Sequence, residues 1–183
     1  EVGHSEDPQK PFFSQEGLDA AKNGNVFVSS SAGTDSRVPV NFWMTGPFHQ
    51  VAVIDPELKV SGFGEYREEG GTWAYGATLD VQRGRQALPA DFRFPVRYPA
   101  EGQVLPNLSF GGNEWPDPLT SCPGYTAPTG APLVLMVGPG NRKPAVEASA
   151  LVDAQGSQYP HCLLDETRYV NPNAGIQATG RSI

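Results

Sequence analysis

Imidazole can move a proton near neutral pH and can also ligate a transition metal. The chain carries it three times, at His4, His49 and His161. His49 stands in the stretch Trp43 to Pro56, WMTGPFHQVAVIDP, directly after the helix breaker Gly46-Pro47. A backbone that leaves a helix at a breaker often lies at the mouth of a cleft, which makes His49 the first candidate for a functional residue. His4 sits in the polar run Gly3-His4-Ser5-Glu6-Asp7. Glu16 falls at a helix start, where the helix dipole favours a carboxylate. Two imidazoles and a carboxylate form a borderline-soft donor set, suited to zinc or another divalent cation with one position open to water or a ligand. Their spacing matches no local metal motif such as HExxH, so any convergence must come from the fold. Taken singly, each histidine reads as an ordinary surface or hydrogen-bonded residue, and Glu16 as a helix-start charge. His161, next to Cys162, reads as a strand end beside a disulfide rather than a ligand pair.

The elements that must position these residues change in character along the chain. Ser14 can cap a short helix running to about Lys22, with Asn23-Gly24 as its stop signal. Ser29 to Asp35 reads as a polar loop. A second helix starts near Val38-Pro39, carries Val40, Trp43 and Met44, and stops at Gly46-Pro47. Leu58 to Tyr66 and Thr72 to Gln82 form two expected strands of a hairpin that turns at Glu68 to Gly71. Tyr75, Ala77, Leu79 and Val81 alternate with polar or small residues, as on a strand with one buried face. From Leu88 to Ala100 the chain reads as a linker. The expected domains are therefore residues 1–89 and residues 90–183. In the second, Pro132 to Val137, Val146 to Val152 and Ser157 to Leu164 read as short strands, with a hairpin turn at Asp153 to Gly156. Such spacing suggests a small β-sandwich of Ig-like type. Ile176 to Ile183 shows no clear final strand.

Composition narrows the function classes. Gly 21 and Pro 18 make up about a fifth of the 183 residues, above average usage but short of low-complexity disorder. With 38% hydrophobic residues, a loop-rich folded protein is expected. The formal net charge of −7 and 13 scattered basic residues, with Arg142-Lys143 the closest pair, exclude a phosphate-binding surface for nucleic acid. No apolar run approaches the roughly 18 residues of a membrane-spanning helix. Cys122 and Cys162 belong to no CxxC pair, which leaves one disulfide or two free thiols. The loop-rich composition suits an exported protein and favours the disulfide. Gly62-Phe63-Gly64 lacks the third glycine of a dinucleotide fingerprint and sits in an expected strand. Val137 to Pro144 lacks P-loop spacing and reads as a turn. No GxSxG elbow is present.

The run from His4, HSEDPQKPFFSQEGLDAAKNGNVF, followed by WMTGPFHQVAVIDPELKVSGFG and then YGATLDVQRG, resembles the bacterial branch of the CAP superfamily, the SCP-like domain of cysteine-rich secretory, antigen 5 and pathogenesis-related proteins. The resemblance covers about residues 3–85. Its most specific part is Trp43-Met44, Pro47, His49, Asp55-Pro56 and Gly62-x-Gly64 in family order. The resemblance implies an α+β fold, an α-β-α sandwich, with His4, Glu16 and His49 lining a central cleft that can hold a divalent metal. The family's cleft usually has a second glutamate upstream of the second histidine, but Asn41 to Gly46 carries no carboxylate here. The family's first helix should precede His4. The chain is thus expected to be a piece of a longer protein, or to take that helix from a second polypeptide or another copy of itself. The region after Pro89, with Pro116 to Leu119, Cys122, Gly124-Tyr125 and Cys162, resembles more weakly the β-rich extension of some bacterial members.

The function expected on these grounds is a secreted, extracellular binding module with a His/Glu cleft for a divalent metal or small ligand. Two alternatives stand beside it. One is a structural or adhesive assembly protein with a vestigial cleft, pairing through strand edges as a homo-oligomer. The other is a hydrolase in which Glu16 orients His49 as a general base.

Overall fold

The computed structural model describes residues 3–141, 144, 146–165 and 167–170. The expectations for Arg142-Lys143 and for Ile176 to Ile183 lie outside the described residues. Helices and small antiparallel sheets are mixed, so the fold is α+β. The chain divides into two compact units, one made of Glu1–Met44 with Ala52–Asp91, the other of Thr45–Val51 with Phe92–Ile183.

In the first unit, helix α1 (Gln15–Lys22) begins where the sequence places it. The Ser14 hydroxyl accepts from the Gly17 amide at 2.9 Å, which satisfies one of the amides that a helix start leaves without a partner. Glu16 lies in its first turn and Lys22 in its last, both favourable to the dipole. Strand β1 (Gly24–Ser29) follows at once, a strand the sequence reading missed because Asn23-Gly24 reads only as a stop. Gly24 fits because a Cβ there would meet the backbone oxygens of Ala20 and Leu79 at 2.7 Å. Helix α2 spans Arg37–Trp43, with Pro39 in its first turn.

Strands β2 (Phe63–Arg67) and β3 (Tyr75–Asp80) form the expected hairpin, and β1 joins the other side of β3. The three-stranded sheet has the order β1-β3-β2, antiparallel throughout, with Phe27 opposite Ala77 and Ala77 opposite Glu65. The pleat puts Tyr75 and Ala77 on one face of β3, where both are buried with Trp43. Trp43, Tyr75 and Ala77 form the core, with Phe27, Phe42 and Leu79 packed against them. The Trp43 indole N–H donates to the Val26 carbonyl at 3.3 Å, which ties α2 to β1. Past the sheet, Arg85 pairs with Asp55 at 3.1 Å and with Glu57 at 3.3 Å. Gly84 lies so close to the Val60 carbonyl that no side chain fits there.

Helix α3 (Pro47–Val53) corrects the reading of Gly46-Pro47 as an exit from helix. Proline has no amide to lose at the first helical position and its φ is already helical, so the dipeptide ends α2 and starts α3. His49 therefore stands in the first turn of a helix. Its stretch Thr45–Val51 belongs to the second unit.

Among its other described residues, the second unit holds three two-stranded antiparallel sheets. They pair β4 (Val96–Tyr98) with β7 (Val134–Met136), β5 (Ser109–Phe110) with β6 (Thr129–Gly130), and β8 (Leu151–Val152) with β9 (Gln158–Tyr159). The expected turn at Asp153 to Gly156 joins the last pair. Asp153 accepts from the Gln155 and Ser157 amides at 2.9 and 2.8 Å, and Gly156 takes a φ of 84°, where glycine has no Cβ penalty. A one-turn helix at Pro118–Ser121 is capped by Asp117. Directly after it, Cys122 forms a disulfide with Cys162.

Candidate functional site

His4, first of the expected cleft residues, is used by the fold. Its Nδ1 lies 2.6 Å from the Ala21 carbonyl. A carbonyl only accepts, so the ring donates there, closing one of the carbonyls that the end of α1 leaves without an intrahelical partner. Glu16 is exposed on the first turn of α1. Both belong to the first unit, and His49 belongs to the second.

His49 has a partner that the sequence reading did not single out. Its Nδ1 is 2.7 Å from Oε1 of Glu114. The same oxygen accepts the backbone amides of Phe48 at 3.0 Å and His49 at 2.9 Å. These are the second and third amides of α3. In most helices they are capped by the side chain of the residue just before the first turn. Here that residue is Gly46, which has no side chain, and the cap arrives from Glu114 instead. The absence of a side chain at Gly46 is required, since a Cβ would lie 2.8 Å from the Glu114 carboxyl. One buried carboxylate thus caps the helix and fixes the imidazole.

Burial sets the electrostatics of the pair. The Glu114 side chain is 1% exposed and that of His49 is 20% exposed. A buried carboxylate is costly unless it is hydrogen-bonded and compensated. Three donors and the positive end of α3 supply that compensation. Because a carboxylate accepts, Nδ1 carries the proton. Phe48 adds an edge-to-face contact with Tyr169, ring centroids 5.2 Å apart. Burial first, then the charges of Glu114 and Asp117, push the Tyr169 hydroxyl above its ordinary pKa.

Protein-family models, curated proteins and solved structures offer no match to this chain. The site is therefore read from its own geometry. Zinc sites draw on three or four protein donors. Among the described residues, no group of three or more His, Cys, Asp or Glu side chains is arranged to hold a metal ion. His4 is engaged with a helix end, and Glu114 with α3 and His49. What the pair can do is hold an imidazole in one orientation and one tautomer, as a hydrogen-bonding group or as a base.

His161, the third imidazole, pairs with the Ser149 hydroxyl at 2.8 Å on an exposed surface. It lies two residues past β9, which is shorter than the expected strand, and next to Cys162 of the disulfide.

No local signal in the sequence marks Glu114. It lies 65 residues from His49, as the single carboxylate of a Gly-rich run, Gly111-Gly112-Asn113-Glu114-Trp115. The one indirect hint is Gly46. A glycine just before a helix start leaves the first amides to be capped from elsewhere.

Proposed function

We propose that this chain is an extracellular binding module of CAP type, whose binding group is the His49 imidazole oriented by Glu114. The observation that carries the reading is the 2.7 Å contact from Nδ1 to a carboxylate that is itself locked by two helix amides. A fold that needed only a helix cap would be served by a side chain at residue 46. A buried carboxylate brought from a distant segment orients an imidazole as well. The Cys122–Cys162 disulfide supports an oxidising, extracellular setting. Among the described residues, no helix is long and apolar enough to cross a membrane. The finer fold reading, an α-β-α sandwich for residues 1–89 followed by a β-sandwich, belongs to the same proposal and rests on the WMTGPFH and DPELKVSGFG order.

Ligand-observed NMR with a panel of small polar ligands tests the reading, using wild type, His49→Ala and Glu114→Gln. Ligands that bind the wild type should lose most of their affinity in His49→Ala. Equal binding by His49→Ala across the panel would remove His49 from the function.

The same pair favours a second reading, a hydrolase. An imidazole whose Nδ1–H is held by a carboxylate is the arrangement of a general base. Turnover of peptide or ester substrates above the His49→Ala background would move the assignment to catalysis.

A further inference from the structure

The sheet of the first unit has two outer strands, and they differ in cover. On β1 the Val26 carbonyl points away from β3, and the Trp43 indole N–H takes it at 3.3 Å. Helix α2 thereby closes part of that edge. On the other side, the Asp80 amide donates to the Gly62 carbonyl and the Glu68 amide to the Ala74 carbonyl. Gly64 and Tyr66 therefore bond toward β3, while Phe63, Glu65 and Arg67 turn their amides and carbonyls outward. Among the described residues, no backbone group pairs with these three on the outer side. All five residues of β2 are exposed. The register with β3 runs without a bulge, and β2 holds no proline or lysine. Bulges, prolines and lysines are devices that commonly blunt a strand edge.

The side chains decide what this edge accepts. Glu65 and Arg67 lie on the Tyr75 face of the sheet, 3.0 Å apart, with the guanidinium 4.4 Å from the centre of the Tyr75 ring. Tyr66 lies on the other face, 53% exposed, with its ring beside that of Phe12, itself 71% exposed. A second copy of β2 can add antiparallel wherever outward groups meet outward groups. With Glu65 opposite its own copy, like charges meet, which is unfavourable. With the axis one residue along, Tyr66 faces its own copy. Each Glu65 then meets Arg67 of the second copy, and each Arg67 meets Glu65. The outward amides and carbonyls of those residues can bond to one another. The two tyrosines face each other in the close, non-hydrogen-bonded position, where aromatic pairs are favourable. A strand with opposite charges two residues apart is thus complementary to itself under a two-fold axis.

We propose that two copies of this chain pair antiparallel through β2, with Tyr66 at the two-fold axis and Glu65 opposite Arg67 of the other copy. The sheets of the two copies become one continuous sheet. The dimer goes beyond the binding reading and does not rest on it, since β2 belongs to the first unit and His49 to the second.

Sedimentation velocity on the full chain over a wide concentration range tests it, and should show a monomer–dimer equilibrium. Glu65→Lys and Arg67→Glu should each weaken the dimer by roughly tenfold, because like charges then meet twice across the axis. Mixed in equal amounts, the two variants should associate again, since each charge then faces its opposite. Tyr66→Cys leaves both charges in place. Its thiols should cross-link the two copies under mild oxidation, because Cα atoms about 4.5 Å apart lie within disulfide reach. Glu68→Cys, two residues from the axis, should not cross-link. Should a charge reversal fail to fold, the comparison of Tyr66→Cys with Glu68→Cys decides. A wild type that stays monomeric at every concentration would overturn the dimer and leave the edge to a different partner. Folded charge reversals that dimerise as the wild type does, folded reversals that fail to associate when mixed, or cross-linking at Glu68 rather than Tyr66 would each overturn the proposed pairing.

Discussion

The Nδ1–H of His49 donates to Oε1 of Glu114 at 2.7 Å, and the amide of His49 itself donates to the same oxygen at 2.9 Å. The carboxylate grips one residue by its backbone and its side chain together. Helix start and imidazole orientation are thereby set by a single group, and they should respond together when it is changed.

A double-mutant cycle measures that grip. His49→Ala and Glu114→Ala should be coupled by roughly 1–3 kcal/mol in urea unfolding. Each single variant should destabilise the protein, with Glu114→Ala the worse of the two because it also removes the cap of α3. Additive effects would show that the contact is energetically idle.

Gly46→Ala should act on the same carboxylate from the other side. Its new Cβ would sit 2.8 Å from the Glu114 carboxyl, which must then withdraw from the helix. A loss of about 1–3 kcal/mol is expected. The loss should shrink in a Glu114→Ala background, where nothing is left to displace. An equal loss in both backgrounds would point to the backbone of residue 46 instead.

The disulfide closes a sequence separation of 40 residues. On the chain-entropy account, replacing both Cys122 and Cys162 by Ala should cost about 4 kcal/mol, measured by denaturant unfolding against the oxidised wild type. A midpoint unchanged by the double replacement would contradict this.

The ion pairs of Arg85 should matter more than surface pairs do. Asp55 is buried and faces Arg85 at 3.1 Å. Arg85→Met leaves that carboxylate without its cation, a loss of about 3–5 kcal/mol. Arg37→Met, whose partner Asp35 is exposed, should leave the unfolding midpoint nearly unchanged, because solvent screens an exposed pair.

The pH dependence follows from three groups. Burial first, then its hydrogen bond to Glu65, push Tyr75 from 10.0 up to about 12. The folded state therefore keeps that proton where the unfolded state loses it, and stability falls as pH rises from about 10 to about 12. Burial alone would raise the Asp80 carboxyl, but the Arg83 and Gln82 amides and the Arg83 guanidinium outweigh it and hold it below the ordinary range. The Ser157 amide leads in lowering Asp153. Their stabilisation is fully present above the ordinary carboxylate range and is lost as pH falls below that range, through their lowered folded values. Absorbance titration should show one tyrosine ionising last in the folded protein, and Tyr75→Phe should remove that late step.

The sequence was readable wherever the cause is local. Ser14 and Lys22 bound α1, the alternation of Tyr75, Ala77 and Leu79 marks β3, and Asp153 with Gly156 makes a turn, all through interactions a few residues long. β1 was hidden because its pairing partner lies some fifty residues on, at Tyr75–Asp80, and strands are defined by their partners as much as by their own residues. α3 was hidden because Gly46-Pro47 can end one helix and begin the next, and which of these happens depends on the cap. His49 was legible as a candidate from its own context. Its partner was not, because a cap delivered across 65 residues leaves no periodicity or spacing to read.

The most direct test of the account is the protonation state of the His49 ring, read by long-range ¹H–¹⁵N NMR on the folded protein above the pH at which the imidazole becomes neutral. The Nδ1–H tautomer is predicted, with the Nδ1 proton protected from exchange in the wild type and released in Glu114→Ala. A wild-type ring protonated on Nε2, or a ring unchanged by Glu114→Ala, would contradict the claim that Glu114 orients His49.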